Sequence, residues 1–266
     1  MNRIDERFSR LRRERQKGFI VYIGAGDPNL EVTRQLALAF DQLGVDVLEL
    51  GVPFSDPLAD GPVNQLAAQR GLESGTTPPR VLETVAAIRR ESQIPIVLYL
   101  YFNLIHRCGL ERFIRDAAQA GVDGLLALDL PPEESDSYET LMRQAAMCNI
   151  YLVAPTTPDD RIELIVKRAA GFIYYVSREG VTGMQAKVAN TIAQMTAKIR
   201  AHTNLPIAVG FGISTPEQAK KVAASAEAVV VGSAIVNQIA RHGKAPDLIK
   251  RVSEFTNTLL QAVKRP

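Results

Sequence analysis

The sequence predicts an α/β fold, a (β/α)8 TIM barrel with an extra N-terminal helix, in which residues 1–266 form a single domain. Short apolar runs alternate with amphipathic stretches along the whole chain, a pattern typical of parallel strands joined by crossover helices. Eight such runs are present, and eight parallel strands are the number that closes this barrel. No linker-like tract rich in Ser and Gly divides the chain, so one domain is expected.

The chain opens with an amphipathic helix, in which Ile4, Phe8 and Leu11 recur at helical spacing. Five cations lie close together at its end: Arg10, Arg12, Arg13, Arg15 and Lys17. Such a run could form a nucleic-acid-binding patch, but Glu6 and Glu14 interrupt the region and the net charge of the chain is only +2. We therefore expect a solvated helix face and no nucleic-acid partner.

The other elements follow in alternation. Predicted strands cover 19–23, 46–50, 96–100, 124–128, 150–153, 172–176, 207–209 and 228–231. Predicted helices cover 32–43, 79–90, 110–120, 135–147, 159–167, 190–201, 216–224, 234–240 and 246–263. Gly44 and Gly121 each stand where a helix ends and a strand begins, the position of a left-handed C-cap. An open doubly wound sheet is the alternative, but the first turn, Gly24-Ala25-Gly26-Asp27-Pro28, does not match its GxGxxG fingerprint.

Composition argues against several other classes of protein. Only Cys108 and Cys148 occur, with three scattered histidines and no CxxC or HExxH motif. Neither a disulfide framework nor a metal site is therefore expected. The N-terminus has no signal-like apolar segment, and no stretch approaches the roughly 20 apolar residues of a membrane span. These features predict a cytoplasmic protein without a membrane partner.

Glu49 stands out because the active site of a (β/α)8 barrel lies at the C-terminal ends of its strands. Along the predicted strand 46–50, Val47 and Glu49 face one side while Leu48 and Leu50 face the other. The leucines suit the layer between barrel and helices, so Glu49 should point into the barrel. Loss of hydration raises the pKa of a buried carboxyl and suits it to general acid and base catalysis. An ion-paired structural role is the alternative, although a lone buried carboxylate is costly.

Two further regions are candidates for the site. The loop at 53–62 contains three prolines, and either Asp56 or Asp60 could face back over the barrel mouth. Both lie in ordinary turn dipeptides, so the residues alone do not choose between them. Glycines after the seventh and eighth strands, at 210–214 and 232–233, predict a phosphate site at the start of a short helix, with tight turns as the alternative. The segment 177–183 has the glycine content of a hinged lid or of an inert loop.

One segment resembles the signature of the tryptophan synthase alpha chain family: Glu49-Leu50-Gly51-Val52-Pro53-Phe54-Ser55-Asp56-Pro57-Leu58-Ala59-Asp60-Gly61-Pro62. The similarity continues in family order through Gly26-Asp27-Pro28, Asp129-Leu130-Pro131-Pro132-Glu133-Glu134, Ala154-Pro155-Thr156-Thr157-Pro158, Tyr174-Tyr175-Val176-Ser177-Arg178, Gly180-Val181-Thr182-Gly183 and Val209-Gly210-Phe211-Gly212-Ile213. These motifs cover most of the chain.

The resemblance implies reversible retro-aldol cleavage of indole-3-glycerol phosphate to indole and glyceraldehyde 3-phosphate. Glu49 matches the family's acid and base, Asp60 its second carboxylate, which holds the indole N–H, and Tyr174 the tyrosine that orients the site. The matching substrate-binding residues are Tyr22 and Tyr101 at the indole, with Thr182, Gly183, Phe211, Gly212, Gly232 and Ser233 toward the phosphate. No metal or cofactor is expected in this chain, because carboxylates and backbone dipoles suffice.

The resemblance also implies a partner, the pyridoxal-phosphate beta chain that consumes indole, in an α2β2 complex. Loops 53–62 and 177–189 would couple the two sites, with Asp56 facing the partner. Gly24 departs from the family, which commonly carries Thr there. Two alternatives remain: another phosphosugar isomerase or epimerase, which has no reason to carry the 49–62 motif, and a catalytically silent alpha chain that only activates a beta chain.

Overall fold

The computed structural model describes residues 2–177, 185–210 and 212–264. Its strands form one parallel sheet in the order β5-β4-β3-β2-β1-β9-β8-β7-β6. They are β1 (Gly18–Gly24), β2 (Val47–Gly51), β3 (Ile96–Leu100), β4 (Gly124–Ala127), β5 (Cys148–Asn149), β6 (Tyr151–Val153), β7 (Ile173–Val176), β8 (Ile207–Gly210) and β9 (Ala228–Val231).

Helices connect these strands. They are α1 (Arg3–Arg13), α2 (Leu30–Leu43), α3 (Pro62–Glu73), α4 (Pro78–Arg89), α5 (Phe102–Cys108), α6 (Leu110–Ala120), α7 (Asp136–Gln144), α8 (Asp159–Arg168), α9 (Gln185–Arg200), α10 (Pro216–Ala223), α11 (Ser233–His242) and α12 (Leu248–Lys264), with a 3-10 turn at Pro132–Glu134. Within the described ranges, no helix is both long and apolar enough to cross a bilayer.

The barrel closes through the short segment that contains β5 and β6. β5 pairs with β4, and Ile150 donates its N–H to Leu125 O at 3.0 Å. β6 then pairs with β7 on the opposite edge. The segment therefore acts as one strand that pairs with both edges of the sheet, and the sheet closes into a barrel of eight strands. The predicted (β/α)8 fold is confirmed. The predicted fifth strand, 150–153, corresponds to β6, and β5 lies directly before it, because the hydrogen bonds of this segment pass from one neighbour to the other at Ile150.

Alternation along the strands sorts the apolar side chains into two layers. Ile20, Val47 and Val97 belong to a cluster inside the barrel, whereas Leu48 and Leu50 pack in the larger cluster beneath the helices. The apolar face of α1 joins the inner cluster: Ile4, Phe8 and Leu11 are all buried there. The predicted N-terminal helix is thus confirmed, and it packs against the barrel interior rather than lying only on its surface.

At the N-terminal end of the barrel, carboxylates directly before three of the strands link each strand to a neighbour. Each accepts a hydrogen bond from a backbone N–H near the start of an adjacent strand: Asp46 from Phe19 at 2.7 Å, Asp123 from Ile96 at 2.8 Å and Glu227 from Ile207 at 3.1 Å. Each also pairs with cations: Arg7 and Lys264 at Asp46, Arg3 and Arg89 at Asp123, and Arg200 at Glu227. Burying Asp46 and Asp123 is tolerated because their hydrogen-bonding capacity is used.

Two predicted C-caps are present, and several helices differ in their bounds from the prediction. Gly44 and Gly121 adopt left-handed conformations, with φ of 89° and 92°, as the helix-to-strand turns require. The predicted helix 135–147 is shorter, and the predicted helix 190–201 begins earlier, at Gln185. The helices α3 and α5 were not predicted. Only Ala67 and Gly71 are buried along α3, so its sequence lacks a continuous apolar stripe.

Candidate active site at the barrel mouth

Inward-facing side chains of three neighbouring strands meet near the C-terminal end of the barrel. In the strand register, Tyr22 of β1 stands beside Glu49 of β2, and Gly51 of β2 beside Tyr99 of β3. The rings of Tyr22 and Tyr99 meet edge to face, with their centroids 5.0 Å apart. Tyr174 of β7 completes this inner layer. The structure therefore brings four polar side chains together where the fold places catalytic groups.

Glu49 lies inside the barrel without any contact with solvent. Among the described residues, no group donates a hydrogen bond to either of its carboxyl oxygens. Burial raises the pKa of Glu49 to about 8, because the charged form would lose its hydration and gain no donor. The side chain therefore carries a proton at neutral pH and can both donate and recover it near that pH.

Glycines on neighbouring strands leave space for the two inner tyrosines. A methyl group at Gly51 would lie 2.3 Å from the hydroxyl of Tyr22, and one at Gly232 would lie 3.3 Å from its ring. A methyl group at Gly210 would lie 2.7 Å from the hydroxyl of Tyr174. The absence of side chains at these positions lets large aromatic rings occupy the mouth. Burial raises the pKa of both tyrosines above the ordinary value, so both keep their hydroxyl protons.

Asp60 is held at the mouth by the end of β3. Tyr99 donates its hydroxyl to Asp60 Oδ1 at 2.9 Å, and Tyr101 donates to Oδ2 at 3.0 Å. Burial raises the pKa of Asp60, while hydrogen bonds from Tyr99, Tyr101 and the amide of Asn64 act in the opposite direction. Asp56, the other candidate, is exposed and accepts a hydrogen bond from Ser55. The structure thus brings Asp60 to the site and leaves Asp56 outside it.

Tyr99 and Asn64 were not predicted as site residues. Tyr99 shares the inward parity of Val97 and lies two residues before Tyr101, so strand alternation alone could have identified it. Asn64 lies in the first turn of α3, a helix that the sequence did not reveal. Both residues act on Asp60: Tyr99 donates a hydrogen bond to its carboxylate, and the amide of Asn64 lowers its pKa.

A narrow cavity adjoins Asp60. Aromatic rings dominate its walls: Tyr22, Phe54, Tyr99 and Tyr101, with Gly24, Gly51 and Pro57 between them. Tyr101 packs against Phe54 with ring centroids 5.1 Å apart. Flat apolar walls with one carboxylate are the lining that a planar heteroaromatic ring with an N–H donor requires, but the cavity has a volume of only about 10 Å³, so its walls must move apart to admit such a ring. A broader groove between α1 and the opposite end of the barrel lies away from these groups.

The start of α11 lies at the same mouth, because this helix begins directly after β9. Gly232 precedes it, and the Gly232 carbonyl accepts from the N–H groups of Ile235 and Val236 at 2.8 and 3.1 Å. Gly212 has a φ of 65°, which favours glycine. Ser233 is the first residue of the helix, where N–H groups and the helix dipole favour an anion. The predicted substrate residues Thr182, Gly183 and Phe211 lie outside the described residues, as does most of 177–189.

Gly24, the departure from the family pattern, lies at the end of β1 under α3. A methyl group there would approach Ala67 Cβ to 3.3 Å and Asp27 Cβ to 3.7 Å. Asp27 is buried and forms a bidentate ion pair with Arg70, with distances of 2.8 and 2.7 Å. Gly24 thus allows close packing of the first loop against α3 and contributes no functional group to the site.

A (β/α)8 barrel with a protonated Glu and a hydrogen-bonded Asp at its mouth defines an enzyme of the acid–base class. The family model described as tryptophan synthase alpha chain matches residues 8–264. The chain belongs to the tryptophan synthase alpha chain family.

Individual relatives agree over the full length. The tryptophan synthase alpha chain of Opitutus terrae is 51% identical over 266 residues, which is 100% of each chain. That of Geobacter sp. (strain M21) is 46% identical over 263 residues, covering 99% of this chain and 98% of the relative. The crystal structure of tryptophan synthase subunit alpha from Legionella pneumophila str. Paris has a TM-score of 0.93 at 37% identity, covering 100% of both chains.

Family membership confirms the predicted enzyme class. The family catalyses a lyase reaction, cleavage of indole-3-glycerol phosphate, in tryptophan biosynthesis. It also implies a beta-chain partner. The alternative of an unrelated phosphosugar isomerase or epimerase is excluded by this assignment.

Proposed function

We propose that this chain, acting as a single domain, cleaves indole-3-glycerol phosphate with Glu49 as the proton-transferring group. The observation that carries the proposal is the buried Glu49 carboxyl, which has no donor among the described residues and a pKa of about 8. A carboxyl that holds its proton at neutral pH can protonate carbon, which an ordinary ionised glutamate cannot do.

The proposed reaction balances through one proton gained and one lost. Glu49 donates a proton to indole C3, which places positive charge on the ring nitrogen. A proton then leaves the side-chain hydroxyl, the bond between C3 and the glycerol carbon breaks, and its electron pair returns to the ring. The hydroxyl carbon becomes the aldehyde of glyceraldehyde 3-phosphate. Glu49, now ionised, is the base that accepts the hydroxyl proton and so regains its starting state.

Asp60 stabilises the charge that develops on the ring nitrogen. Its carboxylate adjoins the aromatic cavity and can accept the ring N–H. Tyr22 and Tyr101 line the indole position, and Tyr174, whose pKa is raised by burial and by the nearby Glu49, orients the site. An interaction that strengthens as charge develops lowers the free energy of the reaction's transition state more than that of the bound substrate.

The phosphate binds at the start of α11. Gly212, Gly232 and Ser233 supply backbone N–H groups at the barrel mouth, and the helix dipole favours the dianion. Thr182, Gly183 and Phe211 complete this binding site in the proposal. The chemistry in this chain requires neither a metal nor a cofactor, and pyridoxal phosphate belongs to the partner.

The partner is a beta chain in an α2β2 complex, formed in the cytoplasm. The loop at 53–62 offers a surface for it: Leu58 has 91% of its surface exposed, and Asp56 lies on the outer side of the same loop. Because Asp60 belongs to this loop, a partner that contacts Leu58 would act directly on the position of the second carboxylate. Loop 177–189 is the other proposed coupling segment.

The experiment that tests the proposal is incubation of the purified chain with indole-3-glycerol phosphate, with and without a cognate beta chain, while indole is measured. Indole release, enhanced by the partner, is the expected result. A silent alpha chain would stimulate tryptophan formation from indole and serine by the beta chain yet release no indole from the phosphate. That outcome would overturn the proposed catalytic function, and the presence of both Glu49 and Asp60 argues against it.

A further inference from the structure

Two tyrosines donate hydrogen bonds to the Asp60 carboxylate, one to each oxygen. Tyr99 reaches Oδ1 at 2.9 Å from within β3, and Tyr101 reaches Oδ2 at 3.0 Å from the end of the same strand. The amide of Asn64, in the first turn of α3, also lowers the pKa of Asp60. Asp60 itself belongs to the loop between β2 and α3, so the two tyrosines fix a loop residue to β3 and the residue that follows it.

We propose that Tyr99 is a positioning residue for the lyase reaction, one that holds the Asp60 carboxylate in the orientation in which it accepts the ring N–H of the substrate. This inference rests on the proposed function of the site. An ionised carboxylate has about four lone-pair positions. The two tyrosines occupy one position on each oxygen, which leaves positions free for the ring N–H of the substrate.

Tyr99 and Tyr101 are anchored differently. The hydroxyl of Tyr101 also accepts the N–H of Ala59 at 2.9 Å, so this tyrosine is tied to the loop that carries Asp60 and can move with it. Tyr99 contacts the loop through the Asp60 carboxylate, and its side chain forms no hydrogen bond with the backbone of the loop, all of which is described. Its ring packs edge to face on Tyr22, inside the strand layer. Tyr99 therefore supplies the fixed reference against which the Asp60 carboxylate is oriented.

The groups around Asp60 leave its hydrogen-bond donors to stabilise its charged form. The titratable groups that face it are Tyr22 from β1, Glu49 from β2, Tyr99 and Tyr101 from β3 and its end, and Tyr174 from β7. In the described part of the chain, none of these groups carries a positive charge. Only hydrogen bonds offset the burial of Asp60 there, and loss of the Tyr99 donor would raise the pKa of Asp60 further.

The test compares Tyr99→Phe with the wild type in the α–β complex, with kcat and KM for indole-3-glycerol phosphate measured from pH 5 to pH 9. Asp60 acts as an anion, so a higher pKa leaves less of the active form at low pH. We expect the acid limb of kcat/KM to move up by about one pH unit, equivalent to the loss of one charge-assisted hydrogen bond. The loss should approach tenfold at pH values below the midpoint of the acid limb, vanish well above it, and lie mainly in kcat.

Tyr138→Phe is the matched control. The hydroxyl of Tyr138 is fully buried and has no partner among the described residues, but it lies in the outer layer against Phe102. Its removal should leave the pH profile unchanged. A Tyr99→Phe profile that superimposes on that of the wild type would overturn the inference.

A second measurement separates this inference from the proposed function. The carboxyl carbon of Asp60, assigned by comparison with Asp60→Asn, can be titrated by 13C NMR in the absence of substrate. An upward shift of its midpoint in Tyr99→Phe supports the positioning role even without turnover. An unchanged midpoint overturns it. Failure of the wild type to release indole would overturn the proposed function alone.

Discussion

Glu49 and Asp60 are both carboxylic acids at the mouth of one barrel, but they differ in the donors that surround them. Glu49 is buried and has no donor among the described residues, so its neutral form is favoured. Asp60 accepts from Tyr99 and Tyr101, and these bonds favour its anion. One residue is thereby suited to give a proton and the other to stabilise positive charge, the separation of roles expected when two environments push their pKa values apart.

Glu49→Gln should nearly abolish turnover, because the amide keeps the shape of the side chain but cannot transfer the proton. The expected loss in kcat is on the order of 10²–10⁴-fold, the usual contribution of a general acid or base. Binding of indole-3-glycerol phosphate, measured by titration calorimetry, should be retained. Asp60→Asn is the comparison variant and should lose less activity. A Glu49→Gln enzyme with the wild-type kcat would show that another group moves the proton.

At the residue scale, what the sequence could predict depended on periodicity. Alternation along β2 predicted the side on which Glu49 lies, because Leu48 and Leu50 demanded the opposite face. The choice between Asp56 and Asp60 could not be made in the same way, since a loop has no such period. The family resemblance selected Asp60. The hydrogen bonds of Tyr99 and Asn64 depend on how the loop folds back, which neither alternation nor composition specifies.

Among the elements, β2 and β8 carry glycines that make room for aromatic rings. Gly51 continues the inward series of Val47 and Glu49, and its missing side chain is the space that the Tyr22 hydroxyl occupies. The strand that carries the acid thus also determines where the neighbouring pocket wall can lie. A strand interior weakened by glycine is the cost of this close approach.

Gly51→Ala should destabilise the chain and impair the pocket, because its methyl group would collide with the hydroxyl of Tyr22. We expect a loss of about 1–3 kcal/mol in the free energy of unfolding, typical of overpacking, and an increased KM. Urea unfolding and steady-state kinetics measure both. Gly61→Ala is the control, since nothing lies within 4 Å of the added methyl group and its φ is −75°. Equal effects of the two substitutions would argue against steric pressure on Tyr22.

The elements that the sequence revealed are those with strong periodicity. Strands such as 96–100 and 228–231 were predicted with their exact bounds, because apolar runs between turn residues leave little choice. The segment of β5 and β6 was predicted as one strand. Its hydrogen bonds pass from β4 to β7 at Ile150, and this consequence of barrel closure is visible only in the assembled sheet. The helix α3 was not predicted because a helix that covers a loop needs few buried residues and so shows no apolar stripe in its sequence.

Across the whole molecule, the two ends of the barrel have opposite tasks. The N-terminal end is sealed by α1 and by paired carboxylates, among them Asp123 with Arg3 and Arg89. The C-terminal end keeps Glu49 buried without a partner in the described chain. Stability is therefore concentrated at one end, and the other end retains a costly group for chemistry, as expected for this fold.

Asp123→Ala should be strongly destabilising, because it leaves the buried guanidinium of Arg89 without its carboxylate and removes the acceptor of the Ile96 N–H. Breaking one partner of a buried pair typically costs about 3–5 kcal/mol. Asp116→Ala is the matched control, since Asp116 pairs with arginines at the surface, where ion pairs contribute about 0–1 kcal/mol. Chemical denaturation of both variants measures the difference. Similar losses would contradict the assignment of stability to the N-terminal end.

The buried acid should also make the stability of the whole chain depend on pH. The folded-state pKa of Glu49 is about 8, whereas an unfolded chain returns a glutamate to about 4.3. Between these values the folded state keeps a proton that the unfolded state has released, so the free energy of unfolding falls as pH rises. The loss should be nearly complete by pH 8.5 and on the order of 5 kcal/mol.

Glu49→Gln removes this titration and so isolates it. We expect the variant and the wild type to have similar stability near pH 5, where the carboxyl is neutral in the folded chain, and the variant to become progressively more stable up to pH 8.5. Urea unfolding at pH 5, 7 and 8.5 provides the measurement. Glu111→Gln, at an exposed position of α6, is the control and should track the wild type throughout. A stability difference between Glu49→Gln and the wild type that is the same at every pH would mean that Glu49 is not buried as a neutral acid, because only a proton held by the folded state makes the difference grow with pH.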